Sequence, residues 1–451
     1  MTPAARAQSA IELISLVEQS LRVQGQPADQ LIRSFFKTRR YAGARDRAAV
    51  TELVYGVLRR RADWLWRLGT ASSPRLLVAI QYLLGEVVTE VELASLFDGS
   101  SYGPEILKPE EAESLQRASQ VSSEAAPSWV AGNYPEWLDP HLKARFGDRL
   151  AEEIAALNQR APLDLRANAL KANRKGAQAV LVEAKLAADP TPLSPLGLRA
   201  EGRSRVTGLA VFKNGLIEIQ DEGSQVAALL TGARPGMQVV DLCAGAGGKT
   251  LVLSASMQNK GQIYAADADR RRLKQMTPRL ERAGARNVQT SCFDAAASTG
   301  PDHEDLLSHL DGRADRVLLD VPCSGTGAWR RNPDSKWRLT PEMLSHHAAR
   351  QDRLLARSAQ LTKPGGRVIY VTCSLLREEN EDRIEAFLGS HPNFTTVAAQ
   401  VAWTEALGTP PPKSAIGQDF LFLTPHQHGT DGFFVAVLER NMVSESDEVS
   451  N

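Results

Sequence analysis

The stretch DLCAGAGGKT, residues 241–250, decides how the rest of the chain reads. It stands between a short apolar run, MQVVDLC, and a helical stretch, so its glycines fall on a strand-to-helix turn. There a missing side chain lets the backbone approach a ligand, and the helix N-terminus offers unpaired N–H groups. Downstream the alternation repeats: QIYAADA, NVQTSCFDA, DRVLLDVPC and RVIYVTCS are short and almost continuously apolar, with helical segments such as DRRRLKQMTPRLERAG between them. Buried strands alternating with helices predict a mostly parallel, doubly wound α/β sheet over residues 221–440. The last run, FFVAVLE, has no helix before it and is expected as an antiparallel edge strand.

Upstream the periodicity is different. Over residues 1–98 apolar side chains recur at three and four, as in Ala48, Leu53, Val54, Val57 and Leu58, which predicts an all-α bundle. Residues 99–128 are acidic, Ser-rich and broken by proline, and are expected to form a linker. Residues 129–220 begin helically and continue into short β-like runs (LDLRAN, LAVFKNGLIEIQ), predicting a small α+β connecting domain. Residues 441–451 are expected to be a disordered acidic tail.

The chain of 451 residues carries 53 Lys+Arg and 53 Asp+Glu, and that zero conceals a pattern. Residues 1–75 hold 13 basic and 6 acidic side chains, a net of +7, whereas residues 76–125 hold 2 and 9, a net of −7. A neutral total argues against a phosphate-rich partner, but a basic N-terminal segment does not. No apolar run is long enough for a membrane helix, and the N-terminus, with Glu12 and Glu18 in a helical pattern, reads as neither signal peptide nor anchor. The four cysteines, 243, 292, 323 and 373, form no CxxC or Cys/His cluster. Free thiols in a reducing cytoplasm are therefore expected, without a metal.

Three ligands compete for the glycine loop. A triphosphate loop would need glycine at 243, where Cys243 stands, and a dinucleotide fingerprint would need glycine at 250, where Thr250 stands. S-adenosylmethionine has no pyrophosphate, so it needs the loop without the full fingerprint, and an acid about 20 residues on for its ribose. Asp267 ends the second strand and Asp294 the third. The candidate cofactor site is thus Cys243, Ala244, Gly245, Ala246, Gly247, Gly248, Lys249, Asp267, Asp294 and Asp320. Further on, LLDVPCSGTG ends the fourth strand with Asp320 and Cys323, and YVTCS ends the fifth with Cys373. Ligand sites of such sheets lie outside the carboxyl ends of the strands, so both thiols are expected at one cleft.

Together DLCAGAGGKT, LLDVPCSGTG, RRNPDSKW and YVTCSLLREEN resemble the RsmB (Fmu/Sun) type of RNA cytosine-5 methyltransferase. RDRAAVTELVYGVLRRR is similar to the NusB-like helical domain of its bacterial members. The resemblance implies a Rossmann-like class I methyltransferase domain with a seven-stranded sheet, preceded by a NusB-like RNA-binding domain. It implies Cys373 as the nucleophile adding to carbon 6 of cytosine and Cys323 as the group that assists release. Asp320 is expected at the ring nitrogen. A thiolate suits reversible addition to a ring carbon, and a second base must remove the carbon 5 proton afterwards. A DNA enzyme of this chemistry has Glu-Asn-Val after its Pro-Cys, whereas Ser324-Gly325-Thr326 follows here. Arg330, Arg331, Lys336 and Trp337 are expected to contact RNA beside a flipped base. By resemblance the substrate is small-subunit ribosomal RNA, with transfer RNA as the alternative and a non-catalytic assembly factor as the rival of another class. A monomer is expected.

Overall fold

A computed structural model describes residues 1–86, 88–122, 126–201, 206–297, 305–412 and 419–442. Most of the expected acidic tail therefore lies outside the described residues. The chain divides into two compact units, residues 1–160 with 329–340, and residues 161–328 with 341–451.

The first unit is helical. Its leading helices are α1 (Pro3–Arg22), α2 (Ala28–Thr38), α3 (Ala44–Arg59), α4 (Arg61–Leu68), α5 (Pro74–Ile80), α6 (Glu90–Leu96) and α7 (Pro109–Gln120). The three-and-four spacing brings Leu13, Ile14, Val17, Val54, Val57 and Leu58 into one core with Trp64. The linker expected over residues 99–128 is partly helix. Glu111 accepts the Lys108 N–H at 2.9 Å at the start of α7, and Leu115 and Ala118 are buried in the core. The four acids of residues 105–113 had masked a short apolar stripe.

Residues 329–340 belong to this unit, which changes the reading of the RRNPDSKW stretch. Lys336 is only 1% exposed, and its Nζ donates to the Asn158 side chain at 2.8 Å and to the Arg59 carbonyl at 3.2 Å. Burial, reinforced by Arg59, pushes its pKa well below the ordinary 10.5. Trp337 donates its indole N–H to the Leu58 carbonyl at 2.7 Å, and Asp334 accepts the Ala28 N–H at 2.9 Å. Arg330 is buried and Arg331 half-buried. Lys336 is a buried peg of the helical unit, not a cation held out to phosphate, because its Nζ is turned inward onto Asn158 and the Arg59 carbonyl.

The second unit carries two sheets. The smaller comprises β1 (Leu163–Ala167), β2 (Ala188–Pro190), β3 (Gly197–Ala200) and β4 (Ile217–Ile219), antiparallel in the order β2-β3-β1-β4. The helix Arg174–Glu183 adds Ala177 and Leu181 to its core. The larger sheet holds β5 (Gln238–Asp241), β6 (Gln262–Asp267), β7 (Val288–Cys292), β8 (Ala314–Asp320), β9 (Thr362–Thr372), β10 (Phe394–Val397), β11 (Leu421–Leu423) and β12 (Phe433–Arg440). Its order is β10-β12-β9-β8-β5-β6-β7, with β11 paired to β12 as an eighth strand beyond the seven expected. Strands β5 to β9 are parallel and β12 runs antiparallel to β9, as expected, but it is not an edge strand, because β10 and β11 pair with its other side, and the one-turn helix Pro425–His428 precedes it. The order reverses at β5, which pairs β6 on one side and β8 on the other, and it is at the carboxyl ends of strands beside such a reversal that sheets of this kind hold ligands.

Lys336→Met tests the peg. A lysine neutral in the fold but charged when unfolded makes wild-type stability rise with pH, up to its ordinary value. Thermal melts from pH 7 to 10 are expected to show wild type gaining stability on Lys336→Met as pH rises. A difference that does not change with pH would mean that Lys336 stays charged in the fold.

Candidate active site

The glycine loop leaves β5 and enters the helix Gly248–Ser256. Gly245 and Gly247 have φ of 55° and 82°, in the left-handed region. A Cβ on Gly247 would lie 2.5 Å from the Met276 Cγ, so the turn needs both the conformation and the space. Asp267, at the end of β6, accepts the Gly245 N–H at 2.8 Å through one oxygen and the Asp269 N–H at 2.7 Å through the other. Arg279 holds the Ala246 carbonyl at 2.6 Å and Arg166 the Gly248 carbonyl at 2.8 Å. Asp294 is bound by Arg350 through two hydrogen bonds of 2.7 and 2.9 Å.

Carboxylates dominate this end of the sheet. Asp241 accepts the Thr250 hydroxyl at 2.7 Å, while its other oxygen is buried without a partner among the described residues. Burial, offset by Thr250 and augmented by Asp320, pushes its pKa up to about 7. Burial and the charges of Asp241, Asp320 and Asp267 push the Cys243 thiol up as well. Lys249 pairs with Asp320 at 2.7 Å.

Beyond Asp320 the two thiols come together. In the β8/β9 ladder Asp320 stands opposite Val371, so Cys323 and Cys373 leave adjacent strand ends. Their sulfurs are 3.5 Å apart. The hydrogen bond to Cys373, then burial, push the Cys323 thiol well above its ordinary range. The loops carrying them are cross-tied. The Thr326 hydroxyl accepts the Leu375 N–H at 2.7 Å, the Cys373 carbonyl accepts the Gly327 N–H at 2.9 Å, and the Ser324 and Ser374 hydroxyls lie 3.1 Å apart. Glu379, Asn380 and Gln351 brace these loops too; the quoted REEN stretch contained the first two without revealing their purpose. Cys292 is exposed at the end of β7, outside the thiol pair.

The "Probable ribosomal RNA small subunit methyltransferase B" of Synechocystis is 34% identical over 310 residues, which are 68% of this chain and 67% of that protein. The family model described as 16S rRNA methyltransferase RsmB/F matches residues 228–439, and a ferredoxin-like domain of the same type matches residues 134–207. The chain belongs to the RsmB/F family. A ribosomal RNA small subunit methyltransferase B of Erwinia tasmaniensis is 29% identical over 92% of this chain and 95% of its own length. The crystal structure of PH0851 superimposes with a TM-score of 0.76 at 27% identity, covering 98% of this chain and 99% of that one.

As an RsmB/F protein it is an S-adenosylmethionine-dependent RNA methyltransferase. The loop suits that cofactor. Asp241, Asp267 and Asp320 stand at the strand ends beside the loop, Asp320 paired with Lys249 and Asp267 3.7 Å from Arg272. Gly245 and Gly247 leave the loop bare where a Cβ would intrude. Among the described residues no cluster of His, Cys, Asp or Glu could hold a metal, and no helix is long and apolar enough to cross a membrane.

Gly247→Ala imposes a positive φ on a residue with a side chain and sets it against Met276. A loss of about 1–3 kcal/mol is expected in denaturant unfolding, and Met276→Ala in the same chain should restore only part of it, since the φ strain remains. Full restoration would mean that crowding alone demands the glycine.

Proposed function

We propose that the protein methylates carbon 5 of a cytidine in small-subunit ribosomal RNA through a covalent bond from Cys373. The observation that carries this is the 3.5 Å approach of two thiols from adjacent strand ends, with Asp320 three residues before one of them. Binding alone needs no thiol pair. The relatives' names supply the RNA class.

S-adenosylmethionine supplies an electrophilic methyl group on a sulfonium. Cys243, Ala244, Gly245, Ala246, Gly247, Gly248 and Lys249 would cradle it, Asp267 and Asp294 would accept from its hydroxyl and amino groups, and Asp320 would face its charge. Cys373 adds as a thiolate to carbon 6 of the base. The electron pair of the 5,6 double bond moves towards carbon 5 while the ring nitrogen takes up a proton through Asp320. Once carbon 5 carries the methyl group, Cys323 removes its remaining proton. The C–H pair restores the double bond, the C–S bond breaks with its electrons on Cys373, and the ring nitrogen returns its proton. Cys323 acts in this step as a thiolate, its own proton having first gone to solvent, and bonding Cys373 to carbon weakens the contact that is the first cause holding the Cys323 thiol up.

For RNA contact the N-terminal basic excess narrows to one turn. Of the 13 cations in residues 1–75, eight are ion-paired, for example Arg61 with Glu18 and Arg67 with Asp63. Arg22, Lys37, Arg40, Arg45 and Arg47 are exposed and have no ion-pair partner among the described residues. Four of these flank Tyr41, which is 71% exposed, between α2 and α3. Exposed cations without a carboxylate partner beside an accessible ring suit a phosphate backbone and a stacked base, although Arg47 also donates to the Ala42 carbonyl at 2.9 Å. With Lys336 buried, this turn replaces RRNPDSKW as the favoured RNA contact.

Cys373→Ala is expected to abolish methylation of an rRNA transcript, and Cys323→Ala to leave a covalent RNA–protein adduct that survives denaturing electrophoresis. Methylation by Cys373→Ala would overturn the nucleophile assignment. Replacing Lys37, Arg40, Arg45 and Arg47 by Gln should weaken RNA binding and flatten its salt dependence by up to about four phosphate contacts, leaving cofactor affinity unchanged; an unaltered salt slope would return the turn to a merely solvated surface.

A further inference from the structure

Glu379 and Asn380 are consecutive, fully buried residues that the reaction above does not use. Each grips the chain on both sides of one cysteine. The Glu379 carboxylate accepts the Ser324 N–H at 2.8 Å and the Ser324 hydroxyl. It also accepts the Gln351 amide at 3.2 Å, and that amide donates to the Pro322 carbonyl at 3.0 Å. Pro322 and Ser324 are the neighbours of Cys323. Asn380 accepts the Thr372 hydroxyl at 2.6 Å and donates to the Ser374 carbonyl at 2.9 Å. Thr372 and Ser374 are the neighbours of Cys373. The Tyr370 hydroxyl donates to the Glu379 carbonyl at 2.6 Å, which pins the pair to β9.

We propose that Glu379 and Asn380 are positioning residues that together set the spacing of the two thiols, Glu379 placing Cys323 and Asn380 placing Cys373. The proposal rests on the covalent reading above. Peptide bonds join the two grips, so neither cysteine loop can shift without pulling on the other. A buried carboxylate is costly unless its hydrogen bonds are made, and here they are made to the flanks of Cys323. Glu379 adds its charge to the causes that hold the Cys323 thiol up, a smaller influence than the contact with Cys373 and burial. Asn380, by contrast, presents one acceptor and one donor, and the flanks of Cys373 offer one donor and one acceptor.

The two residues should therefore fail at different steps. In Glu379→Gln the charge is lost and one oxygen becomes an N–H₂ that can be met only by a Ser324 hydroxyl turned to accept, so the charge-assisted hold on the flanks of Cys323 weakens while that of Cys373 is untouched. Release of methylated RNA is expected to slow on the order of 10²-fold, with the covalent adduct accumulating, while Asn380→Ala should slow adduct formation to a similar degree without accumulation. Affinity for S-adenosylmethionine, read by calorimetry, should stay within a factor of two or so of wild type in both. Ser324→Ala removes one contact of the same grip and should show a weaker form of the Glu379→Gln defect, keeping the test open if Glu379→Gln does not fold. A second readout is independent of turnover: diamide takes two hydrogens from the thiol pair to close a disulfide, and the variants should close it at least several-fold more slowly than wild type. Identical defects in both variants, or unchanged disulfide closure, would overturn the gauge. Absence of any adduct in wild type and in Cys323→Ala, with disulfide closure still slowed in the variants, would overturn the covalent reading while leaving the spacing role standing.

Discussion

In the proposed reaction one pyrimidine ring is reached by two sulfurs, and a chain can arrange this most directly by carrying them on neighbouring parallel strands. The pairing of β8 with β9, with Asp320 opposite Val371, does so. Parallel neighbours require long crossovers, which the helix Pro341–Leu361 supplies with the segment before it. The reversal of strand order at β5 then sets the glycine loop next to β8, and the ion pair of Lys249 with Asp320 joins the cofactor loop to the strand that leads to Cys323. Shifting that register by one residue would turn Asp320 to the other face of the sheet.

Charge is organised with the same economy. Three aspartates stand at the strand ends beside the glycine loop, and two of them are matched by cations, Asp320 by Lys249 and Asp267 by Arg272. In the helical unit most arginines of the first 75 residues spend their charge on local carboxylates. The neutral total therefore describes the molecule poorly. Within residues 1–75 what matters is which cations lack an ion-pair partner among the described residues, and four of those five flank Tyr41.

Much of this was legible in the sequence. Short apolar runs such as RVLLDV, alternating with helical segments, suit a sheet covered on both faces, and the antiparallel direction of FFVAVLE was expected, though not its place inside the sheet. The thiols were legible because strand ends are where such sheets place chemistry. Three things were hidden. Helix α7 buries too few side chains to show through its acids. Lys336 and Trp337 read as RNA contacts because composition does not reveal that a segment following a catalytic strand packs into another unit. Glu379 and Asn380 act on the residues beside the cysteines, through hydrogen bonds that leave no periodicity to detect.

The central claim is that the two thiols divide the work, with Cys373 alone bonding to carbon. Incubating the wild-type protein with S-adenosylmethionine and an rRNA transcript in which 5-fluorocytidine replaces cytidine tests it directly, because fluorine cannot leave as a proton and the adduct persists. Digestion and mass spectrometry are expected to place the nucleotide on the peptide containing Cys373, with Cys323 free. A nucleotide on Cys323 would contradict the account.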